Sequence, residues 1–383
     1  MPLLPSHITP FRIDIPDADL IDLRERLART RWPDAEPVDD WSQGIPLAYT
    51  RELAEYWRTT YDWRKTEARL NAYAHFKAHI DGLGVHFLHA PSPHPDALPL
   101  ILTHGWPGSI IEFLDVIGPL TDPVAHGGDA ADAFHVVVPS LPGYGFGDRP
   151  AETGWGIDRI ARAWAVLMAD LGYARYGAQG GDWGSMVTAS IGRQDPEHVL
   201  GIHLNMPVAM PDAAAMKDPT PAERQALADL GTHSEWGTGY SKIQSTRPQT
   251  LGYGLADSPV GQLAWIVEKF QQWTDCDGHP ENALSRDHLL DNVMVYWLTD
   301  TAASSARLYW ESYRNPDLAE VGVPTGCSIF PHEIIRSSRR WAGNRFTDLR
   351  YWNELDRGGH FAAFEQPETF VEEVRRFFRL IRA

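Results

Sequence analysis

From about residue 85 onward, short apolar runs alternate with stretches of helical period. The runs fall at residues 85–89, 98–102, 134–138, 173–178, 199–204, 325–330 and 349–353. They are apolar on both faces, which predicts a mostly parallel sheet covered by helices on both sides. Between about residues 207 and 320 the alternation stops, and helical segments with Pro and Gly breaks interrupt the strand series. The first 95 residues read as helical and irregular. Ile15-Pro16-Asp17 opens a helix expected over 20–28, Arg31-Trp32-Pro33-Asp34 ends it, and a second is expected over 45–61. The expected organisation is an α/β chain in four segments. Residues 1–95 form an N-terminal extension packed on the core, 96–206 the first part of the core, 207–320 a helical lid, and 321–383 the second part of the core.

Composition narrows the classes of function. Of 383 residues, 43% are hydrophobic, enough for a large core and incompatible with a disordered chain. The formal net charge of −17 argues against nucleic acid or an anionic membrane surface as partner. The two cysteines, Cys276 and Cys327, make no disulfide framework and have no metal-ligand spacing. A reduced, cytoplasmic setting is expected. The opening residues 1–6 lack a basic stretch followed by an apolar run, and no run approaches the roughly 18 apolar residues of a membrane span. The 15 tryptophans point to thick aromatic packing or an apolar, ring-lined pocket, with plain core packing expected for most. Among Trp236, Trp265, Trp273, Trp297 and Trp310 some are expected to favour an apolar ligand and several to be lid core.

The chemistry centres on Gly180-Gly181-Asp182-Trp183-Gly184, which follows the 173–178 run and precedes a helical stretch. Small-x-nucleophile-x-small between a strand and a helix is a nucleophile elbow. The competing reading is an ordinary Gly-Gly-Asp capping turn. As nucleophile, Asp182 is ionised at neutral pH and attacks an electrophilic sp³ carbon to give an ester. Ser185 lies outside the elbow centre, which disfavours a serine esterase. His104-Gly105-Trp106-Pro107-Gly108 follows the 98–102 run, where such a fold draws one oxyanion N–H; Trp106 and Trp183 are assigned as the backbone donors. His104 comes too early in the chain to be the base and is read as bracing the loop. His360, in Arg357-Gly358-Gly359-His360-Phe361 after the last expected strand, is the base. Glu333, Asp348 and Asp356 compete to orient it. Glu333 lies just beyond the carboxyl end of the 325–330 run, where sites in such sheets form. Asp348 precedes its strand and reads as a turn residue, Asp356 lies close to His360 and reads as a loop cap, and Glu333 is chosen. Asp275-Cys276-Asp277-Gly278-His279 reads as a solvated turn rather than a metal site.

Together these motifs resemble the epoxide hydrolases of the microsomal type. The resemblance runs over essentially the whole chain: HGWPGS at 104–109, LPGYGFG at 141–147, QGGDWGS at 179–185, YSKIQSTRPQT at 240–250, DSPVG at 257–261, VPTG at 323–326 and RGGHFAAFE at 357–365. It implies an α/β-hydrolase fold and two lid tyrosines that donate hydrogen bonds to the epoxide oxygen. By motif these fall on Tyr240 and Tyr309, and the family's acid falls on Glu333 of FPHE. The implied reaction converts an apolar, aromatic or biosynthetic epoxide and water to a vicinal diol, in detoxification or secondary metabolism, with no cofactor or metal. Two departures stand out: Gly147 occupies the usual Ser position after LPGYGF, and the mammalian members' membrane anchor has no counterpart here. A homodimer is the expectation for self-association, on frequency alone. Two alternatives remain. A haloalkane dehalogenase shares the elbow Asp followed by Trp but needs no tyrosine pair. A non-catalytic binding protein on this fold predicts a lost nucleophile or base, whereas all five site side chains are present.

Overall fold

The computed structural model describes residues 5–314 and 316–382. Residues 1–4, on which part of the reading of the chain's opening rests, lie outside them, as do 315 and 383. Nine strands form one sheet in the order β1-β2-β3-β5-β4-β6-β7-β8-β9. They are β1 (Ile8–Phe11), β2 (Ala74–Ile80), β3 (Leu83–Ala90), β4 (Leu98–Thr103), β5 (Phe134–Pro139), β6 (Tyr176–Gly180), β7 (Val199–Leu204), β8 (Thr325–Ile329) and β9 (Leu349–Glu354). β1, β2, β3 and β5 pair antiparallel in turn; β5, β4, β6, β7, β8 and β9 run parallel. The parallel strands β4 to β8 are buried almost throughout, as continuous apolar runs require.

The α/β-hydrolase expectation therefore holds, with one difference near the start. The first 95 residues carry α1 (Asp17–Ala28), α2 (Leu47–Thr59) and α3 (Trp63–Leu70) and, at the expected 85–89 run, β3, but also supply β1 and β2 to the main sheet. β1 and β2 escape a reading of periodicity for a physical reason. Thr9 and Pro10 are exposed in β1, and His75, buried in β2, breaks the polar-apolar alternation.

α4 (Leu114–Thr121) follows β4, α5 (Ile157–Asp170) follows β5, and α6 (Asp182–Gln194) follows β6. Between β7 and β8 the chain is helical: α7 (Ala213–Lys217), α8 (Pro221–Thr232), α9 (Gly239–Thr246), α10 (Pro248–Asp257), α11 (Pro259–Trp273), α12 (Arg286–Leu298) and α13 (Ala302–Ser312). α14 (Arg339–Arg345) joins β8 to β9, and α15 (Ala362–Glu365) and α16 (Pro367–Arg379) close the chain. α16 lays Phe370, Val374, Phe377 and Phe378 into the core, four apolar positions at helical spacing. Among the described residues, no helix is long and apolar enough to cross a membrane.

Candidate active site

The carboxyl ends of β4, β6, β8 and β9 converge on one point, and each is followed by a residue singled out from the sequence. Asp182 follows β6 with φ of +49°, in the left-handed region where a residue with a side chain is strained. The turn is that tight because strand and helix nearly touch. A Cβ on Gly180 would lie 2.1 Å from the Gly184 carbonyl oxygen, and one on Gly184 would lie 1.9 Å from that of Thr103. Only glycine fits at either position. Ser185 is buried at the start of α6, its hydroxyl donating to the Met206 carbonyl.

The Trp106 N–H, after β4, donates to Asp182 Oδ1 at 2.9 Å. Asp182 Oδ2 lies 3.3 Å from His360 Nε2, and His360 Nδ1 lies 2.6 Å from Glu333 Oε1. The structure thus joins Asp182, His360 and Glu333 in one line. Asp348 instead pairs with Arg350 at the far end of β9, and Asp356 is exposed. Among the described residues no hydrogen bond runs from the Trp183 N–H to the carboxylate, although Trp183 follows Asp182 in the chain. Burial opposes charging His360, but Glu333 and Asp182 outweigh it and raise its pKa well above the ordinary histidine value. His104 is different. Burial lowers it to about 4, and its neutral ring accepts from the Leu141 N–H, bracing the loop.

On the other side of Asp182 lies a cavity of about 610 Å³, lined by Asp182, Trp183, Tyr240 and Tyr309 together with apolar side chains such as Met186 and Ile334. The two tyrosine rings meet edge to face at 5.7 Å. Trp106 stacks on Tyr240 at 5.0 Å, and Trp183 meets Tyr309 edge-on at 4.8 Å. Burial, with Asp182 nearby, raises both phenols well above their ordinary value, so both remain protonated donors at neutral pH.

Of the two roles expected for the lid tryptophans, core packing and pocket lining, the second is corrected. None of Trp236, Trp265, Trp273, Trp297 and Trp310 borders this cavity. Trp236 is 80% exposed, whereas Trp273 is buried behind the site against Tyr240 and His360. Its large apolar side chain satisfies core packing, a demand the sequence does not distinguish from pocket lining.

Other residues at the site were not apparent from the sequence. The Trp273 carbonyl accepts from the His360 N–H, and Asp275 accepts from the Gly358 N–H, so the segment read as a solvated turn holds the histidine loop. Glu365 accepts from the N–H groups of Asp275 and Phe361, and burial pushes its carboxyl up to about 7. Glu112 approaches from the turn after β4. A carboxylate one turn beyond a loop motif carries no spacing signal, and only the fold brings it inward.

Two family models match. One describes the epoxide hydrolase N terminus over residues 8–113, the other the alpha/beta hydrolase fold over 99–316. A protein of Stigmatella aurantiaca, provisionally named an epoxide hydrolase, is 56% identical over 98% of this chain and 86% of its own length. Epoxide hydrolase 1 of Sus scrofa is 36% identical over 98% of this chain and 89% of its own. Among solved structures, the juvenile hormone epoxide hydrolase of the silkworm Bombyx mori superposes with a TM-score of 0.91 at 32% identity, covering 99% of this chain and 96% of that one.

Proposed function

The chain belongs to the epoxide hydrolases of the microsomal type, and on that premise we propose that it opens its epoxide through an ester on Asp182. The observation that carries this reading is the position of the Asp182 carboxylate. It faces two protonated phenols across one cavity and has a histidine–carboxylate pair at its back.

In the first step Tyr240 and Tyr309 donate to the ring oxygen while Asp182 Oδ2 attacks a ring carbon. The C–O bond breaks and the alkoxide takes a proton supplied through the phenols. His360, charged in the free enzyme and lying across Asp182 from the phenols, is the proton reservoir, reached through solvent. Esterification removes the negative charge of Asp182, so His360 loses one of the two partners that favour its charged form and becomes a base. In the second step neutral His360, oriented by Glu333, takes a proton from water as the water oxygen attacks the ester carbonyl. The Trp106 and Trp183 N–H groups face the developing oxyanion, the acyl–oxygen bond breaks, and the diol leaves with the proton from His360. Atoms balance as epoxide plus water to vicinal diol. The cavity admits an apolar epoxide of moderate size, aliphatic or aromatic.

Intact-mass spectrometry tests the reading directly. His360→Gln, given styrene oxide, is expected to gain the mass of one epoxide on the peptide containing Asp182, and Asp182→Ala to gain none. Wild-type-like diol production by Asp182→Ala would overturn the scheme. A haloalkane dehalogenase shares the nucleophile, but the tyrosine pair facing Asp182 favours the epoxide. Halide release from a chloroalkane, insensitive to Tyr240→Phe, would reverse that preference.

A further inference from the structure

Asp182 is the only described residue that lines both the 610 Å³ cavity and a second, much smaller chamber of about 20 Å³ behind it. A space of about 10–15 Å³ for a water centre holds one water molecule, so the chamber is sized for one. His360, Glu112, Gln179 and Asn205 share its wall. Gln179 and Asn205 are 1% and 3% exposed, and the Gln179 amide donates to Asn205 Oδ1. That leaves Gln179 Oε1 and Asn205 Nδ2, a buried acceptor and a buried donor, with no hydrogen-bond partner among the described residues. Unpaired buried polar atoms cost roughly 1–3 kcal/mol each, and a bridging water removes that cost.

Glu112 reaches the chamber by a built route. Ser109 caps its turn, accepting from the Ile111 N–H, and is itself tied to Asn292 of α12. The carboxyl then folds back over Gly108, where an added Cβ would lie 1.4 Å from Glu112 Oε1. Only glycine leaves it this path. Burial pushes Glu112 up to about 8, with His360 opposing and Asp182 adding to the rise. It therefore enters the chamber mostly as a neutral acid at pH 7, able to donate as well as accept.

We propose that this chamber seats the hydrolytic water of the second step, and that Glu112, with Gln179 and Asn205, holds it against the Asp182 ester with one O–H turned to His360. The inference rests on the ester reading above and adds to it a location and three residues. Substrate and water then approach Asp182 from opposite sides. The epoxide alkylates Asp182 from the large cavity, and the water oxygen attacks the ester carbon from the small one. One water proton passes to His360 Nε2 and leaves with the diol. The second stays on the oxygen retained by Asp182 until the diol leaves and then passes to His360, restoring the ionised Asp182 and charged His360 of the free enzyme. No other reactant is needed. Water is thereby kept off the epoxide until the ester exists.

Rapid-quench single turnovers of the full chain with styrene oxide, read by intact mass, separate ester formation from ester hydrolysis. Glu112→Leu is expected to form ester within about threefold of the parent rate. Its hydrolysis should slow at least thirtyfold, making the ester the dominant species. Glu112→Gln, which keeps a donor and an acceptor, should recover hydrolysis to within about fivefold. Gln179→Met, similar in volume but lacking the acceptor, should slow hydrolysis alone and decides the matter if Glu112→Leu does not fold. Hydrolysis within threefold of the parent in the folded leucine or methionine variant, or equal loss of both steps, would overturn the water site. Absence of any ester in His360→Gln would instead overturn the underlying scheme.

Discussion

Nδ1 of His360 lies 2.6 Å from Oε1 of Glu333, with the two side chains only 2% and 1% exposed. At that depth the carboxylate fixes which ring nitrogen carries the proton and stabilises the imidazolium formed when water is deprotonated. Glu333→Gln removes the charge while keeping the shape. Ester hydrolysis is expected to slow by about 10²–10⁴-fold, while ester formation, in which Asp182 and the phenols act on the ring and solvent can relay the proton, slows far less. Glu333 raises the His360 pKa, so the variant's histidine should titrate at lower pH than the parent's. Single-turnover rates and the histidine ring resonances check both halves. Equal slowing of the two steps would remove Glu333 from this role.

Tyr240 and Tyr309 act on the other half of the cycle. Their rings are held by Trp106 and Trp183, so removing one hydroxyl leaves the packing intact. Tyr240→Phe and Tyr309→Phe are each expected to slow ester formation by about 10–100-fold, and the double variant by about 10³-fold or more, because one donor partly covers for the other. Ester hydrolysis should be little changed. Because burial holds both phenols well above their ordinary value, ester formation should not fall through tyrosine ionisation below about pH 10. Quench-flow measurements across pH 6–9 test both statements.

What the sequence made legible follows from how locally each feature is encoded. The elbow is fixed by neighbours within four residues, and the spacing of Gly180, Asp182 and Gly184 is that constraint written out. His360 and Glu333 are separated by 27 residues, yet each follows a strand, so the parallel order of β8 and β9 was enough to bring them together. Glu112, Gln179 and Asn205 had no such mark, being ordinary polar residues whose meaning lies in a shared wall. β1 and β2 were hidden for the same reason, since the pairing of β2 with β3 and of β1 with β2 decides their state more than their own pattern does. The lid tryptophans misled because burial and pocket lining call for the same side chain.

Lys269 presents a further test, one of stability. Its side chain is 7% exposed, its ammonium sits 4.9 Å from the Tyr240 ring centroid, and its ion-pair partner is the adjacent Glu268, 18% exposed. Burial lowers the Lys269 pKa, with Glu268 opposing the shift. Lys269→Met leaves Glu268 with an uncompensated, largely buried charge and removes the cation from the ring. A loss of about 2–3 kcal/mol is expected, from the cost of breaking a buried pair and the cation–π contact. Adding Glu268→Gln should restore at least half of it. Denaturant unfolding of the two variants measures this, and a single-variant loss below about 1 kcal/mol would show that the pair contributes little.

Asp291, in α12, ties the first 95 residues to the helical segment over the site, accepting at Oδ1 from Tyr61 at 2.6 Å and also from the Thr66 hydroxyl. Burial raises its pKa above the ordinary carboxylate value, although these two hydrogen bonds oppose the rise. A raised carboxyl binds its proton more tightly folded than unfolded. Its contribution to stability is therefore fully present below the unfolded pKa near 4 and is lost as pH rises through the folded value. Asp291→Asn keeps an oxygen to accept from both hydroxyls and carries no charge. It is expected to be at least as stable as the parent at pH 8, with the difference between them shrinking or reversing toward pH 4. Asp291→Ala strands two buried hydroxyls and should lose about 2 kcal/mol at both pH values. Thermal unfolding of the three proteins at pH 4 and pH 8 decides the case. A stability loss in Asp291→Asn that grows with pH would mean that the ionised carboxylate, not its shape, holds the two segments together.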